Sequence, residues 1–195
     1  MDLIWLELVV KYLVKEMDKN FAILDVETTG GKFNEEKITE IAIFIYNGEK
    51  IIDKFESLIN PSKEIQPFVQ RLTGINNDLV KDSPKFIDVS KEIFEITKNK
   101  IIVAHNVGFD YRVIKNEFQN INIKYIRDTL CTVDLSKLIF PDLKSYKLTN
   151  LLSNFGILNE NPHRANSDAL GTVELFKILN HKDLDMKVII SKIKS

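Results

Sequence analysis

The feature that most constrains this chain is a change of rhythm after its first third. Up to residue 59 the apolar residues come in strand-length runs joined by turns: Asn20 to Val26, closing in Thr28-Thr29-Gly30-Gly31; then Ile38 to Tyr46; then, across Asn47-Gly48, Lys50 to Ile59. Asn-Gly between two apolar runs marks a hairpin, because both turn residues tolerate positive φ. Three successive antiparallel strands are therefore expected. After Asn60-Pro61 the rhythm becomes helical, with short helical turns between Pro67 and Gly74 and a helix opened by Ser83-Pro84 that runs to about Lys98. A short apolar strand follows at Ile101 to Ala104, then a helix from Asp110 to Phe118, a fifth strand at Leu130 to Val133, and helices at Asp134 to Phe140, Lys147 to Phe155 and Arg164 to Leu179. Such a meander followed by strand–helix units predicts an α/β fold, a mixed five-stranded sheet with helices on its faces.

Size and composition fit that plan. The chain has 195 residues, 44% hydrophobic and 28% charged, which suits one domain over residues 18–182 and excludes a disordered or collagen-like chain. The single Cys131 cannot form an internal disulfide, and no Cys/His cluster has zinc-site spacing, so a cytoplasmic location is expected. Residues 1–17 are too short and too charged to cross a membrane, and they lack the cleavage site of a secretory leader. Leu6, Val9, Val10 and Leu13 recur at helical spacing there, giving an amphipathic helix or extension, unless translation starts at Met17. Residues 183–195 read as a Lys-containing tail. The net charge of −1 gives no general attraction to nucleic acid, although bound cations would change the field at a cluster of acids.

Four acids and one histidine stand out. Asp25 and Glu27 are two apart on a strand, so both carboxylates point to one face, where burial and mutual repulsion call for a cation. Hard divalent ions such as Mg²⁺ or Mn²⁺ take carboxylate oxygens, and two of them can hold both ends of a phosphodiester displacement. Taken alone, Asp-x-Glu equally describes an edge strand with a solvated face. Asp110 follows an apolar strand and opens a helix, a position that the helix dipole by itself would favour. Asp168 and His163 lie in Pro162-His163-Arg164-Ala165-Asn166-Ser167-Asp168-Ala169, a loop leading into a helix. Histidine suits proton abstraction from an attacking water, since its ordinary pKa of about 6.5 lies near working pH. A solvated loop histidine is the plainer alternative. His105 reads as a structural hydrogen-bonder and His181 as a surface residue.

Jointly, these blocks are more specific. Phe21-Ala-Ile-Leu-Asp25-Val-Glu27-Thr-Thr-Gly30, His105-Asn-Val-Gly-Phe-Asp110 and His163-Arg-Ala-Asn-Ser-Asp168-Ala, in that order, resemble the DnaQ-like (DEDDh) 3′–5′ exonuclease family. Ile38-Thr-Glu-Ile-Ala42, Asn60-Pro61 and Pro67-Phe-Val-Gln-Arg-Leu-Thr-Gly74-Ile75 are similar to its proofreading branch, the DNA polymerase III epsilon subunit. The resemblance covers about residues 20–180. It implies a ribonuclease H-like fold, an exonuclease domain over residues 18–182, and two divalent cations, Mg²⁺ or Mn²⁺, held by Asp25, Glu27, Asp110 and Asp168. Asp25, Glu27 and Asp168 would bind one and Asp25 and Asp110 the other, with His163 as general base. It also offers Thr28, Thr29, Gly30, His105, Asn106 and Phe109 as candidates for substrate contact.

The implied activity is release of nucleoside 5′-monophosphates from DNA 3′ ends in proofreading or repair, with a DNA polymerase as a candidate partner. An RNA 3′ exonuclease of the same fold and a non-catalytic nucleic-acid-binding module are the alternatives. The chain departs from many relatives at Gly31, where they carry a bulky residue that wedges against the terminal base. A second departure is Cys131-Thr132, which occupies the place of their Asp-Thr pair, so Asp128 receives no catalytic role. Replicative relatives carry a polymerase-binding extension, where a short Lys-containing tail follows residue 180 here.

Overall fold

A computed structural model describes residues 20–181. The expectations for residues 1–17 and 183–195 therefore lie outside the described residues. Five strands form one sheet in the order β3-β2-β1-β4-β5: β1 Phe21–Thr28, β2 Ile38–Tyr46, β3 Ile51–Leu58, β4 Ile101–Ala104 and β5 Thr129–Cys131. The β1–β2 and β2–β3 pairs are antiparallel, whereas β1–β4 and β4–β5 are parallel. The helices are α1 Pro67–Thr73, α2 Asn77–Val80, α3 Phe86–Ile96, α4 Val107–Asn120, α5 Thr132–Ile139, α6 Leu148–Asn154 and α7 Ala165–His181. The meander and the strand–helix units fall where the hydrophobic rhythm puts them. The boundaries move by a few residues. The helix expected from Asp110 begins at Val107, so Asp110 sits inside its first turn. The fifth strand ends at Cys131 because Thr132 already enters α5.

The period of the strand divides the core in two. Phe21 and Ile23 of β1 face a layer built with Leu135, Leu151, Ala169, Val173 and Phe176 of α5, α6 and α7. Ala22, Leu24 and Val26 face the opposite layer with Ile93, Val113, Ile114 and Phe118 of α3 and α4. β2 is buried along its whole length between these layers, as a central strand of a covered sheet should be. Burial of these apolar side chains contributes about 1.5–3 kcal/mol for each large one, which fixes the register.

That register positions the acids. Past Ile23 the same face of β1 carries Asp25 and then Glu27. Along α7, Phe176 packs edge-on to Phe21 with ring centroids 4.9 Å apart. Asp168 lies eight positions before Phe176, about 12 Å along a helix, and Asp25 lies four positions after Phe21, about 13 Å along a strand. One aromatic contact in the core thus brings α7's acid level with the acids of β1. Gly171 lets α7 approach α6, since a Cβ there would stand 2.6 Å from Leu152 Cδ1.

Candidate active site

Asp25, Glu27 and Asp168 each offer a carboxylate oxygen, and these oxygens lie within 4.8 Å of one another. Opposite ligands of an octahedral Mg²⁺ stand about 4.2 Å apart, so small side-chain adjustments would close the shell. The donors are all hard oxygens, which fits a divalent cation of the Mg²⁺ or Mn²⁺ class and not a soft-metal site. Asp110 enters from the opposite layer. It is buried, and its Oδ1 accepts a hydrogen bond from the Val26 N–H at 3.2 Å, so it is fixed to the backbone between Asp25 and Glu27.

The electrostatics of the cluster show what it lacks. Burial, then the charges of Asp110, Glu27, Asp168 and Glu40, hold the Asp25 carboxyl well above its ordinary range. Glu27 is pushed up to about 8 by burial and by Asp168, Glu40 and Asp110, with Arg164 pulling weakly the other way. Burial pushes Asp110 up to about 7 despite hydrogen bonds from backbone N–H groups. For Asp25 and Glu27 the shifts express carboxylates crowded together without enough positive charge, and for Asp110 the loss of water around a buried acid. A cation placed among the oxygens would reverse all three.

The entry loop of α7 is tied to Asp168. Its Oδ2 accepts from the His163 N–H at 3.0 Å and its Oδ1 from Asn159 Nδ2 at 2.7 Å. Ser167 Oγ in turn donates to Asn159 Oδ1 at 2.5 Å. His163 is exposed and has a left-handed backbone, φ 64°, a conformation that the bond to Asp168 helps to hold. The chain thus bends tightly, with the His163 backbone against Asp168 and the residue exposed to solvent.

The candidates for substrate contact differ in what they have free. The turn after β1 is closed by its own side chains: Gly30 N–H donates to Thr28 Oγ1 at 3.3 Å, Thr29 Oγ1 donates to the Gly30 carbonyl at 2.9 Å, and Lys37 N–H donates to Thr29 Oγ1 at 3.1 Å. Gly30 has φ +67°, and a Cβ there would stand 2.8 Å from Val69 Cγ2, so both conformation and space demand glycine. Asn106, with φ 74°, lets the chain turn from β4 into α4, and Phe109 projects 36% exposed from its first turn. His105 is different. Its Nε2 lies 2.9 Å from the Tyr146 carbonyl, which can only accept, so that nitrogen carries the proton; its Nδ1 lies 2.9 Å from Thr132 Oγ1. Burial lowers its pKa and favours this neutral form. Neither ring nitrogen is free for substrate, so His105 serves as the hydrogen-bonding strut that its sequence context suggests. Its partner Thr132 belongs to the Cys131-Thr132 pair, whereas Asp128 only passes its carbonyl to Ile102 N–H.

Sequence reasoning missed Glu40 and the role of Arg164. Glu40 is the β2 residue opposite Glu27. Its carboxylate accepts from Arg164 Nε at 3.0 Å, from Arg164 Nη2 at 2.5 Å and from Ala165 N–H at 2.9 Å. It therefore caps α7 and fixes the helix that delivers Asp168. An acid in an otherwise apolar strand was the available signal, but its partner lies 124 residues away.

Comparisons with known proteins place the chain in a family. The exonuclease family model RNase_T matches residues 22–176. The 3′-5′ exonuclease DinG of Staphylococcus aureus strain USA300 is 39% identical over 156 residues, which cover 80% of this chain and 17% of that protein. The chain thus spans less than a fifth of that relative's length. Exonuclease X, solved in complex with 5′ overhanging duplex DNA, superimposes with a TM-score of 0.70 at 25% identity over 88% of this chain and 98% of that one. The nuclease domain of 3′hExo, a DEDDh family member bound to rAMP, has a TM-score of 0.74 at 18% identity over 86% of this chain and 94% of its own, and shows the fold alone. The fold is ribonuclease H-like.

Proposed function

This chain belongs to the RNase_T exonuclease family, and from that premise we propose that it is an enzyme of the DEDDh type whose residues 18–182 hydrolyse the terminal phosphodiester of DNA 3′ ends, releasing nucleoside 5′-monophosphates. The observation that carries the reading is the cluster of Asp25, Glu27 and Asp168 oxygens within 4.8 Å, joined by Asp110 and short of positive charge. In this proposal Asp25, Glu27 and Asp168 hold one divalent cation, and Asp25 and Asp110 hold a second. Bound, the pair supplies the charge that stabilises the attacking and leaving oxygens of an in-line displacement.

The chain's own residues do the rest. Asn159 and the His163 N–H orient Asp168, and the Val26 N–H orients Asp110. His163 takes the proton of the attacking water at its exposed imidazole, and a His163→Gln variant should fold normally but lose most of the activity. Gly30 and the Thr28-Thr29 turn shape the floor on which the terminal nucleotide lies, and Asn106 and Phe109 line its other side. DNA is favoured over RNA because a relative solved with duplex DNA matches along nearly its whole length at 25% identity. The motifs that resemble the proofreading branch support association with a DNA polymerase in the cytoplasm, which co-elution with a polymerase would test. Among the described residues no helix is long and apolar enough to cross a membrane.

The test offers the purified protein 5′-labelled single-stranded DNA, duplex DNA with a mispaired 3′ end and single-stranded RNA, with Mg²⁺ or Mn²⁺ and an Asp110→Asn control. Ladder-wise 3′ shortening of DNA, lost in the control, is expected. Preference for RNA would move the substrate class. Equal activity in the control would sink the site, and no cleavage at all would leave a binding module.

A further inference from the structure

Beside Phe109 stands an aromatic and guanidinium stack whose other members, Phe33 and Arg112, have no part in the roles above. Phe33, in the connection between β1 and β2, is 72% exposed. Its ring does not hang free. The Arg112 guanidinium carbon lies 4.3 Å from the Phe33 centroid and 5.4 Å from that of Phe109, the residue before Asp110. The two rings are therefore no farther apart than the sum of those distances, and Phe109 is the neighbour in sequence of Asp110. Arg112 is fixed in turn: Nη1 donates to Asn34 Oδ1 at 3.0 Å and to Glu36 Oε2 at 3.1 Å, and Nη2 donates to Glu36 Oε1 at 3.0 Å. Asn116 Nδ2 donates to the same Asn34 oxygen at 3.1 Å. The bidentate bond to Arg112 holds the Glu36 carboxyl below its ordinary pKa, so the pair stays ionised.

We propose that Phe33 is a base-stacking platform for a nucleotide upstream of the one at the carboxylates, with Phe109 as the inner step and Arg112 as the post between them. This rests on the exonuclease reading above. Three observations select a nucleobase as occupant. The charge of Arg112 is committed to Glu36, which leaves an open aromatic face and not a phosphate anchor. The neighbours Lys32, Asn34 and Glu35 are exposed and polar, so within its loop Phe33 offers a single aromatic ring, the size of a base, and not a continuous apolar face of the kind a protein interface uses. A chain of net charge −1 also lacks the broad positive field that would otherwise retain the strand, and stacking supplies sequence-tolerant affinity in its place.

The test measures binding of single-stranded DNA to the full chain by anisotropy in an Asp110→Asn background, which holds the strand uncut. Phe33→Ala should raise Kd roughly 5- to 100-fold, the range that one lost stack implies, and Phe33→Trp should restore it. An abasic site is then moved through roughly the last four 3′ positions. At one position it should weaken the Phe33 protein but leave Phe33→Ala unaffected, which a loop that had merely lost order would not do. Equal Kd for both proteins overturns the platform while the exonuclease reading stands, as does a penalty independent of the abasic position. If the unsubstituted chain neither binds nor cleaves DNA, both readings fall.

Discussion

Glu27 and Glu40 face each other across β1 and β2, on the same side of the sheet, yet the fold treats them in opposite ways. Glu40 has a guanidinium on both oxygens and a helix N-terminus on one of them. Glu27, with Asp25 and Asp168 as neighbours, is driven up to about 8. The difference separates an acid that builds from one that, in the function proposed above, holds a metal. Where the protein supplies the cation itself, the charge locks α7 in place. Where it withholds one, crowded acids are left that only bound protons or an external cation can relieve. The energetic penalty of the second arrangement is a functional signature, because a structural site would have no reason to leave it uncompensated.

The comparison can be broken by experiment. The largest effect should come from Glu27→Gln, which removes a proposed metal ligand: exonuclease activity should fall about 10³-fold or more, as loss of several kcal/mol of transition-state stabilisation implies. The same variant should be at least as stable as the parent without metal, because repulsion is relieved. Retained activity, or a folding defect, would place Glu27 with Glu40 as a structural acid.

Glu40→Gln should do the reverse. Breaking its bonds to Arg164 should cost about 2–3 kcal/mol, somewhat less than a fully buried pair, because the Arg164 side chain keeps 39% of its surface in water. Chemical denaturation would measure it. A change below about 0.5 kcal/mol, the level of an ordinary surface substitution, would show that Glu40 does not anchor α7.

The smallest effect is the response to pH. Raised carboxyl pKa values mean that the folded, metal-free protein holds protons which the unfolded chain releases. The stability they confer is complete below the ordinary carboxylate range, about pH 4, and is lost as pH rises through about 7 for Asp110 and about 8 for Glu27. In EDTA the melting temperature should therefore fall steadily between pH 5 and pH 8.5. Mg²⁺ at a hundredfold excess over its Kd should raise it by about 5–10 °C at the upper pH and flatten the slope. A pH-independent melt in EDTA, or no response to metal, would remove the asymmetry between the two glutamates.

Much of this was legible in the residues. The Asn47-Gly48 turn and the alternation of β1 announce the meander and set Asp25 and Glu27 on one face, because the strand period is local geometry. The blocks around Asp110 and Asp168 are legible as a family pattern, although neither shows by itself that its acid would meet the others. Less visible were Asn159, which steadies Asp168 from nine residues away, and the pairing of Glu36 with Arg112. Such partners lie in loops or on other elements, where no period links their positions.

The sequence by itself therefore determined the order of the elements, the faces of the strands and the identity of the acids, all of which follow from backbone periodicity and side-chain chemistry over a few residues. Only the tertiary structure decided which acids share a site and which glutamate receives the arginine. Those outcomes depend on packing across the sheet: Phe176 seats on Phe21, α7 is set at one height, and Asp168 arrives beside Asp25 while Arg164 reaches Glu40. A carboxylate's charge state is fixed by what lies within a few ångströms of it, and in a folded chain those neighbours come from residues far apart in sequence.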